Sequence, residues 1–214
     1  MRSQPWLLPA VMLLGTVGVA GVQTNIDSDT VGEALTLIRS GTPRELTSFN
    51  QPYRIVVTQA PVDYAEIVTP FRRIVLAGTG RAANGDRSFG QKQAIDLLAE
   101  SGDRLDIYVE MTFHPQNTYV SVPDYTAALI APDGRRITSE TLTRVARWTT
   151  RLDGPPAVPP PQTPAVPRGN TLLGATVVGR FDLEMLDPSG AYELVVGLSG
   201  EDLARAKIAL ANMR

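Results

Sequence analysis

The stretch L-D-I-Y-V-E-M-T-F, residues 105–113, decides the fold. Leu105, Ile107, Val109, Met111 and Phe113 fall on one side of an extended chain, and Asp106, Tyr108, Glu110 and Thr112 on the other. Strict alternation over this length predicts a strand with one buried face and one wetter face, the habit of an antiparallel sheet. Working outward, residues 125–131 form a second apolar strand. Pro132–Asp133–Gly134 then supplies a turn, because proline presets the first dihedral and glycine accepts positive φ, and residues 135–138 begin the return strand. Further on, residues 175–186 place Val177, Phe181, Leu183 and Met185 on one face. Asp187–Pro188–Ser189–Gly190 is a second turn, and residues 191–198 are expected to complete a hairpin with the strand before it.

Upstream, residues 29–40 read as a short helix: Val31, Ala34, Leu35 and Ile38 recur at helical spacing, Asp29 or Thr30 can cap it, and Gly41 and Pro43 end it. Residues 53–58 are a strand candidate with Tyr53, Ile55 and Val57 on one face. Residues 71–77 are another, closed by Gly78. Residues 91–100 suit a helix stopped by Gly102. The tail, residues 201–214, reads as helix, since Ser199 and Asp202 resemble a capping box and alanine favours helix. The strand alternative rests on Ala204, Ala206, Ile208 and Leu210 alternating with Arg205, Lys207 and Ala209.

Short strands, Pro/Gly turns and no sustained βα alternation give a mainly β fold class, an antiparallel sandwich with a short N-terminal helix. The order of strands across residues 105–197 resembles the immunoglobulin-like sandwiches of exported bacterial proteins. The resemblance is one of pattern. Antibody-type domains pair two cysteines around a tryptophan, and this chain has no cysteine. The resemblance is therefore architectural and carries over no functional residues.

The first 20 residues carry an address. After a short start with Arg2, residues 5–22 run uncharged around Leu7, Leu8, Val11, Met12, Leu13 and Leu14, and Gly18 and Ala20 stand where a signal-peptide cleavage site needs small residues. The expectation is a periplasmic or secreted protein beginning at Gly21. An uncleaved membrane anchor is the alternative, weakened by Pro9, Gly15 and Gly18 within the span. The remaining chain divides into a helical lead-in, residues 21–49, and a sandwich, residues 50–214. The latter contains a proline-rich loop, residues 153–170, with seven of the 17 prolines. Only 44 residues follow that loop, too few for a separate core.

Composition narrows the partners. The 22 acidic and 20 basic residues leave a formal net charge of −2, so no strong field invites nucleic acid. Eighteen of the 20 basic residues are arginine, which fits a GC-rich genome. Gly78–Thr79–Gly80–Arg81–Ala82–Ala83 has the form of a dinucleotide-binding turn, but that motif needs a helix directly after it. Asn84–Gly85–Asp86 interrupts such a helix, and a hairpin-like or irregular loop is the plainer expectation. His114 is the lone histidine. Without a placed nucleophile and acid it reads as a structural strand-end histidine. Asp27, Asp29 and Gly32 begin like a calcium loop, which fails at Ile38 where the glutamate belongs. One imidazole and no cysteine make a zinc site implausible. No cofactor and no required metal are expected.

Arg144, Arg147 and Arg151 would share a face if residues 139–152 were helical, with Leu142, Val145, Trp148 and Leu152 as an apolar flank. The threonines there favour a strand, with the arginines as a solvated edge. The expected function is a non-enzymatic module of the bacterial cell envelope, binding a protein or envelope partner through loops or a strand edge. His114, Asn117, Tyr119, Arg144, Arg147 and Trp148 are the candidate contacts. A membrane contact is expected only if the leader stays uncleaved. An exported hydrolase using carboxylates or the His114 region is the alternative.

Overall fold

Capping chemistry sets the first elements. The computed structural model describes residues 21–23, 26–148 and 171–214. Asp27 accepts from the Thr30 backbone N–H (2.8 Å) and opens α1 (Ser28–Ser40), which Gly41 closes. Thr42 and Glu45 form a capping box that opens α2 (Pro43–Asn50). Pro43 is thus a helix starter as well as a stop, because its missing N–H costs nothing in a first turn. A 3-10 turn (Gln51–Tyr53) leads into β1 (Arg54–Val56) and β2 (Val62–Val68). Two helices follow, α3 (Pro70–Ala83) and α4 (Gln91–Ser101), the latter ended by Gly102 at φ +67°. The rest is β3 (Arg104–Thr112), β4 (Tyr125–Ile130), β5 (Arg136–Thr138), β6 (Thr141–Trp148), β7 (Leu172–Asp182), β8 (Ala191–Leu198) and β9 (Glu201–Ala209).

The strands make two antiparallel sheets, ordered β1-β2-β3-β7-β6 and β5-β4-β8-β9. Among the described residues the fold is mainly β, with four α-helices. One apolar core lies between the sheets, with Ile67, Ile107, Val109, Val177 and Phe181 from the first and Tyr125, Leu129, Leu194 and Ile208 from the second. Each such side chain contributes roughly 1.5–3 kcal/mol on burial. A second core joins α1, α3 and α4 through Val31, Leu35, Phe71, Ile74, Val75, Phe89 and Ala94. Phe49 of α2 packs against both cores. Buried Arg72 fastens α3 to β2, donating to the Ile67 carbonyl (2.5 Å) and to Glu66.

Several expectations are corrected. Residues 71–77 are helix, not strand: Thr69 caps, Pro70 takes the first turn, and Phe71, Ile74, Val75 and Gly78 are buried at helical spacing. The G-x-G-x-x-A run therefore lies inside α3. It is neither a dinucleotide turn nor the loop expected in its place. The tail is strand β9, not helix. Ser199 and Gly200 have φ of +54° and +88°, so the supposed capping box is a two-residue hairpin turn that lets β9 pair with β8. Asp187–Pro188–Ser189–Gly190 turns as expected, with Gly190 N–H donating to the Asp187 carbonyl (2.9 Å). But β7 and β8 lie in different sheets, so the turn crosses between them and closes no hairpin. Of residues 53–58 only Arg54–Val56 is strand, with Tyr53 in the preceding turn. Residues 141–148 are strand β6, which removes the amphipathic-helix alternative. The leader, Arg151 and the proline-rich loop lie outside the described residues.

Candidate functional site

The candidate contact residues gather at one end of the sheet pair. An aromatic column runs out from the core. Tyr125 stacks on Phe113 (centroids 6.0 Å apart, 14° between planes), and Phe113 meets Tyr119 edge to face at 5.2 Å. Burial, with Tyr119 adding, pushes the Tyr125 hydroxyl up to about 12. Tyr119 is held from behind, since its backbone N–H donates to Asn117 Oδ1 (3.1 Å). Asn117 Nδ2 in turn donates to the His114 carbonyl (2.7 Å) and to the Leu172 carbonyl (2.9 Å). Leu172 is the register partner of Trp148, and the Leu173 carbonyl accepts from Phe113 N–H (2.8 Å). The loop after β3 and the paired ends of β6 and β7 are thereby one assembly. It leaves four large apolar side chains exposed: Tyr119, Trp148, Leu173 and, 90% exposed, Val120.

The six expected contacts divide into two kinds. Tyr119 and Trp148 present surface. Asn117 is a brace. His114 is exposed, and its Nδ1 accepts from Gln116 N–H (3.2 Å). No carboxylate hydrogen-bonds it among the described residues. The arginines are committed internally. Arg144 donates through Nε and Nη2 to the Tyr125 carbonyl (3.1 and 2.8 Å), tying the edge of one sheet to the other. Arg147 pairs with Glu110 (2.8 Å) and donates to the Met111 carbonyl (2.8 Å). Gly174 makes room for this, as a Cβ there would sit 2.1 Å from the Met111 carbonyl oxygen and 2.5 Å from Arg147 Nη2. Leu173 escapes the sequence reading because a single apolar residue at a strand start carries no periodic signal.

Elsewhere, a cleft of about 710 Å³ opens between the α3–α4 pair and the outer face of the five-stranded sheet. Its floor is charged. Asp106, 5% exposed, accepts from Arg73 Nη2 (3.0 Å) and from Arg180 Nε (2.9 Å). Glu66, also lining the cleft, is held by Arg72. Burial, with the Asp106 charge adding, raises the Tyr108 hydroxyl above its ordinary range. Leu76, Ala77 and Leu97 form an apolar wall. A larger groove of about 1160 Å³ follows α1, where Glu33 pairs with Arg214 and Glu45 is used by the α2 cap.

Of the acidic residues considered for calcium, Asp27 caps α1; Asp86, in the loop after α3, accepts from Ser88 N–H (2.8 Å). Among the described residues no three His, Asp or Glu side chains converge as a metal site needs. No helix among them is long and apolar enough to cross a membrane. Comparison with family models, curated proteins and solved structures finds no match to this chain.

Proposed function

We propose that this chain is a non-enzymatic binding module of the bacterial cell envelope, exported by its N-terminal leader. Its two sheets form an immunoglobulin-like sandwich, and a protein or envelope partner docks on the end bearing Tyr119, Val120, Trp148 and Leu173. The supporting observation is the aromatic column Tyr125–Phe113–Tyr119. An exposed aromatic braced on a core stack is pre-ordered, and a pre-ordered anchor loses little freedom on binding. Tyr119 and Val120 adjoin in the loop after β3, Trp148 and Leu173 stand at the paired ends of β6 and β7, and large exposed apolar patches mark interaction sites.

Envelope fractionation of the full-length protein tests this reading. Tyr119→Ala and Trp148→Ala are each expected to lower retention by about tenfold or more, the effect of losing an interface anchor, while leaving the melting temperature near that of the parent. Retention unchanged in both variants would refute the assignment of this end.

A further inference from the structure

A cleft lies beneath α3 and α4, apart from the aromatic end. Two guanidinium groups, Arg73 and Arg180, converge on the single carboxylate of Asp106. The other pairing there, buried Arg72 with part-exposed Glu66, is already balanced. The floor therefore carries one positive charge more than its own carboxylates, and the remaining acid of the cleft, Glu100, is exposed.

Hydrogen bonding is incomplete in the same place. The Arg73 side chain is 11% exposed, and its Nη1 is buried with no acceptor among the described residues. A charged donor left so is costly. Arg180 spends Nε on Asp106, and its Nη atoms find no acceptor among the described residues, with the side chain 39% exposed. Tyr108 adds a hydroxyl on the floor. Against these donors stands the apolar wall of Leu76, Ala77 and Leu97. The cleft has the size of a small-molecule site, which runs from about 300 to 1,000 Å³.

We infer that this cleft binds a small amphiphilic carboxylate, its head on the free Nη atoms of Arg180, with the charge of Arg73 behind it, and its hydrocarbon part along the wall of α3 and α4. The excess positive charge of the floor matches a monoanion. The planar guanidinium fork matches a carboxylate in shape. The wall matches an apolar body and offers nothing to a fully polar anion. Glu100 stands at the exposed rim of the cleft and opposes anions weakly.

Titration calorimetry of the full-length protein with hexanoate, hexanol and inorganic phosphate tests the assignment. Hexanoate is expected to bind saturably, and hexanol and phosphate each about tenfold more weakly or worse, since charge-assisted hydrogen bonds and wall contacts are both needed. Arg180→Gln should weaken hexanoate about tenfold, the loss of one charged donor. Glu100→Gln, at an exposed position that does not threaten folding, should tighten it by about twofold. Hexanol binding as well as hexanoate, phosphate binding more tightly than hexanoate, or indifference to both substitutions would each overturn the inference. So would absence of hexanoate binding at millimolar concentration.

Discussion

Asp106 ties α3 to β7 at the helix–sheet junction. Its two oxygens accept from Arg73 on α3 and Arg180 on β7, and it is 5% exposed. Asp106→Asn leaves a nearly buried guanidinium without its counter-charge, and such a loss costs about 3 kcal/mol. Urea unfolding should show that drop. An unchanged midpoint would mean that water serves the arginines equally well. Tyr125 gives a pH signature of defined sign. Its hydroxyl is raised by burial from 10.0 to about 12, so the folded state favours the neutral form. That contribution is complete below the unfolded value and is lost as pH rises through the folded one. Stability should therefore fall between about pH 10 and 12 in the parent, and less steeply in Tyr125→Phe. Equal slopes for parent and variant would contradict the burial of this hydroxyl. Arg144 and Arg147 on edge strand β6 look like a solvated face in sequence, yet backbone carbonyls of β4 and β3 claim them.

Glycine spacing inside α3 separates two readings of one motif. Gly78 packs against α1 and the following loop, where a Cβ would lie 2.5 Å from Ile38 Cδ1 and 2.9 Å from Phe89 Cδ1. Gly80 faces open space. Gly78→Ala should destabilise by about 1–2 kcal/mol through overpacking, and Gly80→Ala should stabilise by about 0.5–1 kcal/mol through helix propensity. Thermal melts of the two variants check this, and equal losses would contradict the helix packing. Elements with one clean period were legible: α1, α4, β3, β4 and β8 lie close to where the alternation or helical spacing put them. The segment in α3 carries conflicting signals: Ile74 and Val75 argue for strand locally, while the Thr69–Pro70 start and the contact with α1 decide for helix. Strand β2 was passed over, since Asp63, Tyr64 and Glu66 break its apolar run and its register shifts between Val62 and Tyr64. The tail's alternation was visible, but only the positive φ at Ser199 and Gly200 selects it over helix. The charged cleft was invisible in sequence, because Glu66, Arg73, Asp106 and Arg180 sit on four different elements that topology alone unites.

At the scale of the whole molecule, two layers divide the work. The sheet pair holds the larger core and presents the aromatic end, and the helices form a second core on one sheet's outer face above the cleft. The C-terminus links them. Tyr53 donates to the Arg214 carbonyl (3.2 Å) and accepts from Arg214 N–H (2.9 Å), while Arg214 pairs with Glu33 of α1. A partner docking at the aromatic end meets a rigid scaffold, since the loop that bears Tyr119 is fixed to β7 by Asn117. The measurement that tests this most directly is photo-cross-linking in intact cells, with the reactive residue placed at Val120 and, as a control, at Glu201 in the turn region of β9. The account predicts one reproducible envelope adduct from Val120, suppressed by Trp148→Ala and absent from Glu201. No adduct from Val120, or the same adduct from both positions, would contradict a binding face at this end.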